Sequence, residues 1–147
     1  MRHKILLVIL LVLVSGCATI FEKTSFQYGP DFFVCNYWID RNQDRKVDID
    51  EWEGVKDDFN EREHISFVGY FRQKIGTPIS FKLFAPDGSL YREKFSKQTA
   101  KTTIWCQEFE AEKLVSEKGC GIWKVEWYAA GEIVNITTIR ILKVPHN

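Results

Sequence analysis

The segment GIWKVEWYAAG, residues 121–131, carries the clearest β-strand pattern in the chain. Trp123, Val125 and Trp127 alternate there with charged residues, which is the period of two expected of a strand with one buried face. The glycine that ends the segment favours a turn, and a second apolar stretch follows at residues 133–144. We therefore predict two consecutive strands, with both tryptophans on the buried side.

The sequence on the N-terminal side of this segment contains shorter strand-like runs separated by turn residues. Such runs lie at residues 32–38, 65–71, 79–84, 90–95 and 102–109. A Pro86-Asp87-Gly88-Ser89 turn joins two of them, because Pro presets φ and Gly accepts a positive φ. About seven strands without alternating helices predict a mainly β fold, an antiparallel Ig-like β-sandwich, with a small barrel as the main competitor. Residues 110–118 are predicted to form a helical turn.

Two features resemble Ig-like extracytoplasmic domains. The run from Gly121 to Gly131 is similar to late strand pairs in such domains, and the Pro-Asp-Gly hairpin near residue 87 fits the same pattern. The resemblance covers residues 63 to 144 and implies one sandwich domain, which we place at residues 31–147.

The N-terminus predicts export. Three basic or titratable residues, Arg2, His3 and Lys4, precede an unbroken apolar run at residues 5–14. A run of this length cannot span a hydrocarbon core of about 30 Å as a helix, and a charged start followed by an apolar run is the pattern of a secretory signal.

The end of this signal resembles the lipobox of bacterial lipoproteins. Its last residues are Val14-Ser15-Gly16-Cys17, which implies cleavage of residues 1–17 and lipidation, including palmitate, at Cys17. Residues 18–30 are then a tether to the domain. The resemblance implies an extracytoplasmic, membrane-anchored protein, sorted to the outer membrane in bacteria with two membranes because Ala18 is not acidic.

The net charge of the chain bears on the partners that we expect it to bind. The signal carries two of the 20 Lys and Arg and none of the 20 Asp and Glu, so the remaining chain has a net charge of about −2. This charge gives no indication of nucleic-acid binding.

Three cysteines remain after Cys17. We favour a disulfide between Cys106 and Cys120, which flank one connection; pairings through Cys35 and a fully reduced state are the alternatives.

The segment DRNQDRKVDIDE, residues 40–51, resembles the twelve-residue calcium loop of EF-hands. Calcium takes six to eight oxygen ligands, so side-chain oxygens must recur at alternate positions. The resemblance implies as ligands Asp40, Asn42, Asp44, the Lys46 carbonyl, Asp48 and Glu51. Two features depart from the motif: Arg45 replaces the usual Gly, and a strand rather than a helix precedes the loop.

We expect such a calcium ion to bind weakly, on the order of 0.1–1 mM, and to stabilise the loop without a switching role. The spacing of Trp52, Val55 and Phe59 predicts a short helix after the loop. The competing interpretation is a solvated acidic turn in which Asp48 or Asp50 caps that helix.

These features predict a non-enzymatic protein. The sequence has no Ser/His/Asp set, no phosphate-binding glycine loop and no Cys/His metal spacing. We expect a lipid-anchored cell-envelope protein whose sandwich is an interaction or scaffolding module. The alternative is a module that binds a small ligand or a glycan. The expected partners are the membrane, through the lipid, and another envelope protein or a glycan.

Overall fold

The computed structural model describes residues 31–44 and 46–145, and the predicted signal, lipid site and tether lie outside them. Ten strands and one α-helix are present in this part of the chain. The strands are β1 (Phe32–Cys35), β2 (Tyr37–Trp38), β3 (Trp52–Glu53), β4 (Asp58–Asn60), β5 (His64–Phe71), β6 (Pro78–Phe84), β7 (Leu90–Lys97), β8 (Thr103–Glu110), β9 (Gly121–Ala129) and β10 (Glu132–Leu142), and helix α1 spans Ala111–Lys118.

The long strands form two sheets. One sheet has three strands in the order β1-β5-β8, and the other has five in the order β4-β10-β9-β6-β7. Among the described strands, the short strands β2 and β3 pair only with each other. No described helix is both long and apolar enough to cross a bilayer.

The strand order is that of an Ig-like sandwich. In chain order, β1, β5, β6, β7, β8, β9 and β10 correspond to strands A, B, C, C′, E, F and G, so that A-B-E faces G-F-C-C′. The additional strand β4 pairs in parallel with β10 at the edge of the larger sheet. The predicted mainly β sandwich is confirmed, with ten strands rather than seven.

The core lies between the two sheets, and the strand at residues 121–129 is central to it. Trp123, Val125 and Trp127 are fully buried, as their alternation predicts. The Trp127 ring lies 5.0 Å from that of Phe81 on its own sheet and 5.8 Å from that of Phe71 on the opposite sheet. Burial of each such side chain stabilises the fold by roughly 1.5–3 kcal/mol.

The predicted short helix after residue 51 is wrong. A single 3-10 turn at Ile49–Glu51 is followed by β3 and then by β4. Trp52 packs outside the three-stranded sheet, Val55 is exposed and Phe59 is buried in the main core. The three residues therefore do not share a face, and their helix-like spacing is coincidental.

Candidate functional site

The predicted calcium loop is an insertion held by a small strand pair. Trp38 of β2 pairs with Trp52 of β3, and the loop connects these two strands. The backbone N–H of Ile39 also donates to the carbonyl of Glu51 at 2.9 Å. The first and last parts of the loop are therefore close together.

Glu51 is the centre of this loop, and its side chain is buried. One carboxylate oxygen accepts from the backbone N–H of Arg41 at 2.9 Å and of Asn42 at 3.5 Å. The other accepts from the Trp38 indole N–H at 3.0 Å and from the Asp48 backbone N–H at 3.2 Å. Burial opposes the charged form of Glu51, but these donors outweigh it and lower the pKa of the carboxyl.

Three of the other predicted ligands, Asn42, Asp44 and Asp48, are engaged in local hydrogen bonds. Asn42 donates through its amide to Asp48 at 3.0 Å and accepts from the backbone N–H of Asp44 at 3.0 Å. Asp44 accepts from the backbone N–H of Lys46 at 2.7 Å. The bonds to the backbone N–H groups of Asp44 and Lys46 are side-chain-to-backbone turns of the kind that Asn and Asp favour, whereas the bond from Asn42 to Asp48 joins two side chains.

In this conformation the loop does not form a calcium cage. Both oxygens of Glu51 face N–H donors, and the described residues include no group of three or more His, Cys, Asp or Glu side chains placed to hold one ion. Asp40, at the first loop position, directly precedes Arg41, whose backbone N–H donates to Glu51, and Arg45 lies outside the described residues. Calcium binding stays a prediction, and it requires Glu51 to exchange its donors for the ion.

The insertion covers the outer face of the three-stranded sheet. The Trp52 indole donates to the Tyr70 hydroxyl at 2.8 Å, and its ring lies 5.7 Å from that of Phe33. Beneath it, Phe33, Cys35 and Val68 form a second buried cluster. This side of the sandwich is therefore shielded by the chain itself.

The predicted disulfide between Cys106 and Cys120 is not formed. Cys35, Cys106 and Cys120 are all free. Cys106 packs against the second cluster on the three-stranded sheet, whereas Cys120 is exposed directly before β9 of the other sheet. Helix α1 carries the chain from one sheet to the other, so closeness in sequence does not bring these two thiols together.

The outer face of the five-stranded sheet, by contrast, is uncovered by any described residue. Its centre is a row of charged groups paired with one another: the Lys124 ammonium lies 2.7 Å from the Glu126 carboxylate, and Lys82 lies 3.2 Å from Glu93. Tyr128 donates its hydroxyl to Glu126 at 2.5 Å. Lys124 and Tyr128 together lower the pKa of the Glu126 carboxyl.

Apolar side chains surround these paired charges on the same outer face. Ile136 pairs with Glu126, Ile133 with Tyr128, and Phe95 with Ser80, and each pair shares the side opposite the core. The exposed apolar residues of this face include Leu90, Phe95, Ile122, Ile133 and Ile136. The Phe95 side chain is 74% exposed.

The alternation of residues in these strands predicts which side chains are buried, but it does not by itself mark the outward-facing residues as a site. Ile122 stands directly before Trp123, so it must point away from the core if the tryptophan points inward. Ile136 likewise has the parity opposite to buried Ile139 and Ile141. Isoleucines at the outward-facing positions of these strands are therefore the sequence signal for an apolar outer face.

The tryptophans do not form an exposed stacking platform. Trp123 and Trp127 are buried in the core, while Trp38, Trp52 and Trp105 are partly buried. Of the large exposed side chains in the described chain, only Tyr37 and Phe95 are aromatic.

Comparisons with known proteins leave the family open. No protein family profile matches the chain, and no curated protein matches it. Among solved structures, the chain is similar to an immunoglobulin-like protein from Pseudomonas aeruginosa, at 14% identity and a TM-score of 0.44, over 78% of this chain and 93% of that one. A similarity at this level carries no argument about function, and the Ig-like assignment rests on strand order.

Proposed function

We propose that this chain is a non-enzymatic interaction domain of the bacterial cell envelope. A lipid on Cys17 holds it at the membrane, and residues 18–30 tether the sandwich. The domain binds a protein partner through the outer face of the five-stranded sheet. The observation that carries the proposal is the exposure of five large apolar side chains on one sheet face.

The chemistry of this face defines the partner. Contiguous exposed apolar residues on a soluble domain mark interaction sites more often than isolated ones do. The charges at its centre are already paired within the face, so they require no charges from a partner. The face therefore fits a weakly charged protein surface whose apolar side chains contact the isoleucines and Phe95 that surround the paired charges.

The test introduces a negative charge on the outer face and, as a control, the same charge at an exposed position outside that face. Ile136 is 54% exposed on the outer face, and Ile75 is 64% exposed in the loop before β6. We expect the anchored Ile136→Asp variant to lose the partner that wild type captures from its own membranes, and Ile75→Asp to retain it. Equal capture by wild type and both variants would exclude the outer face as the interface.

The anchor has its own test. Mass spectrometry of the mature protein should find a lipidated Cys17 at its N-terminus, and Cys17→Ser should abolish processing or release the protein from the membrane. An unmodified Cys17 in the native protein would contradict the anchor without affecting the interaction face.

A further inference from the structure

A cleft runs along the open side of the sandwich, where the edge strands of the two sheets lie opposite each other. Strand β7 pairs only with β6, and β8 pairs only with β5, among the described strands. The cleft between them has a volume of about 420 Å³ and is also lined by helix α1. This volume is in the range of pockets that hold ligands, roughly 300–1,000 Å³.

The register of β7 directs two cations into this cleft. Arg92 is opposite Leu83, and Lys94 is opposite Phe81. Since Leu83 and Phe81 point into the core, Arg92 and Lys94 lie on the same interior side of the sheet. The opposite sheet ends before it covers them, so both side chains are exposed in the cleft.

Aromatic rings form the inner wall. A β-bulge leaves Tyr91 as the extra residue between Leu90 and Arg92, and its ring packs 5.3 Å from that of buried Trp123. Phe109 of β8 lies 6.5 Å from Tyr91. Gln107 is on the same interior side of β8 and adds an amide.

The charges in this cleft are unbalanced. Arg92, Lys94 and Lys113 line it, and none of them forms an ion pair with a described residue. The carboxylate of Glu110, also in the lining, is already 2.9 Å from His64. The lining therefore holds three cations against two carboxylates, Glu108 and Glu110, which leaves an excess of positive charge beside aromatic surface.

We propose that the cleft binds an extended acidic peptide segment that adds as a strand to the free edge of β7. Side chains in a strand alternate between faces, so acidic residues at every second position would all meet Arg92 and Lys94 on the interior side. Strand β8 is excluded as the paired edge because Glu108 and Glu110 would repel such a peptide. This site is separate from the outer face, so the two proposals fail independently.

The test measures binding of labelled eight-residue peptides, as long as β7, to the full chain in detergent. One peptide alternates Glu and Thr, a second has the same composition with the Glu residues in one block, and a third has Gln for Glu. We expect the alternating peptide to bind most tightly and binding to weaken with added salt. The double variant Arg92→Glu/Lys94→Glu should lose at least about tenfold in affinity, and Lys113→Glu should lose less.

The matched control reverses two cations outside the cleft. Lys74→Glu/Lys101→Glu makes the same charge change on exposed residues that lie outside β7 and outside the cleft lining, and it should keep the wild-type affinity. The alternative is that the inward-pointing charges and the β-bulge protect the edge strand from pairing with other chains and bind no ligand. If no peptide binds, if the block peptide binds as tightly as the alternating one, or if both double variants lose affinity equally, the proposed peptide site is wrong.

Discussion

At the scale of single residues, Glu51 shows how one buried carboxylate can organise a loop. It accepts hydrogen bonds from three backbone N–H groups and one indole. Glu51→Gln keeps the shape but removes the charge and places an amide N–H among these donors. We expect the thermal midpoint to fall by about 5 °C or more, measured with chelator present so that calcium plays no part.

The same carboxylate makes the stability of the fold depend on pH. Its pKa in the folded protein lies below the ordinary value of 4.5, so its contribution is complete above that pH and is lost as the pH falls through the lowered pKa. The difference in midpoint between wild type and Glu51→Gln should therefore shrink in acid. A difference that stays constant from neutral pH into acid would contradict this role.

Calcium is tested by the same melting measurement on wild type. If residues 40–51 bind the ion as predicted, excess calcium raises the midpoint above its value in chelator, since ligand at about 100 times its dissociation constant adds about 2.7 kcal/mol. Asp40→Ala should remove that increase. An unchanged wild-type midpoint at about 10–100 mM calcium, which is about 100 times the expected dissociation constant, would contradict calcium binding by this loop.

The three domain cysteines differ in environment, and their reactivity should follow it. The pKa of the Cys35 thiol is raised to about 12, mainly by burial and further by the neighbouring Cys106 and Glu108. Burial and Glu108 raise that of Cys106 to about 11. Because the thiolate is the nucleophile, alkylation at about pH 8 should modify exposed Cys120 first, Cys106 more slowly and Cys35 only after unfolding. Peptide mapping that finds Cys35 modified as fast as Cys120 would contradict this order.

At the scale of elements, the connection from β3 to β4 depends on Gly54. Its φ is +69°, and an added Cβ would lie 2.0 Å from the Asn36 amide oxygen. Asn36 is itself fixed, because it donates to the His64 carbonyl at 3.0 Å. Gly54→Ala should therefore destabilise the fold by more than the roughly 1 kcal/mol of backbone strain alone.

Gly76 provides the matched control for this prediction. Its φ is +90°, but no atom lies within 4 Å of an added Cβ. Chemical denaturation should show a larger loss for Gly54→Ala than for Gly76→Ala. Equal losses would mean that the contact with Asn36 has no energetic consequence.

The sequence predicted the elements in which one physical pattern dominates. Alternation identified the strand of Trp123 and Trp127, because a half-buried strand must alternate. The helix at Trp52 was wrong because the side chains after the loop are buried at separate places in the fold. The disulfide prediction was wrong because the separation of two cysteines along the chain does not indicate which sheet each of them joins.

At the scale of the whole molecule, the two sides of the sandwich differ. The insertion places Trp52 over the three-stranded sheet and buries Cys35 and Val68 beneath it. No described residue covers the outer face of the five-stranded sheet, where Ile136 and Phe95 are exposed. Sequence alone could not predict this asymmetry, because alternation separates the two faces of a strand without indicating whether the outer one is covered by distant residues.

Site-specific photocrosslinking in intact cells tests the interaction face most directly. A photoreactive amino acid replaces Ile136 on the outer face, or Ile75 in the loop before β6 as the control, since both isoleucines are similarly exposed. Our account predicts a discrete crosslinked product with a second envelope protein from position 136 and none from position 75. Crosslinks from position 75 alone, or no product from position 136, would contradict the proposal that the outer face of the five-stranded sheet is the binding surface.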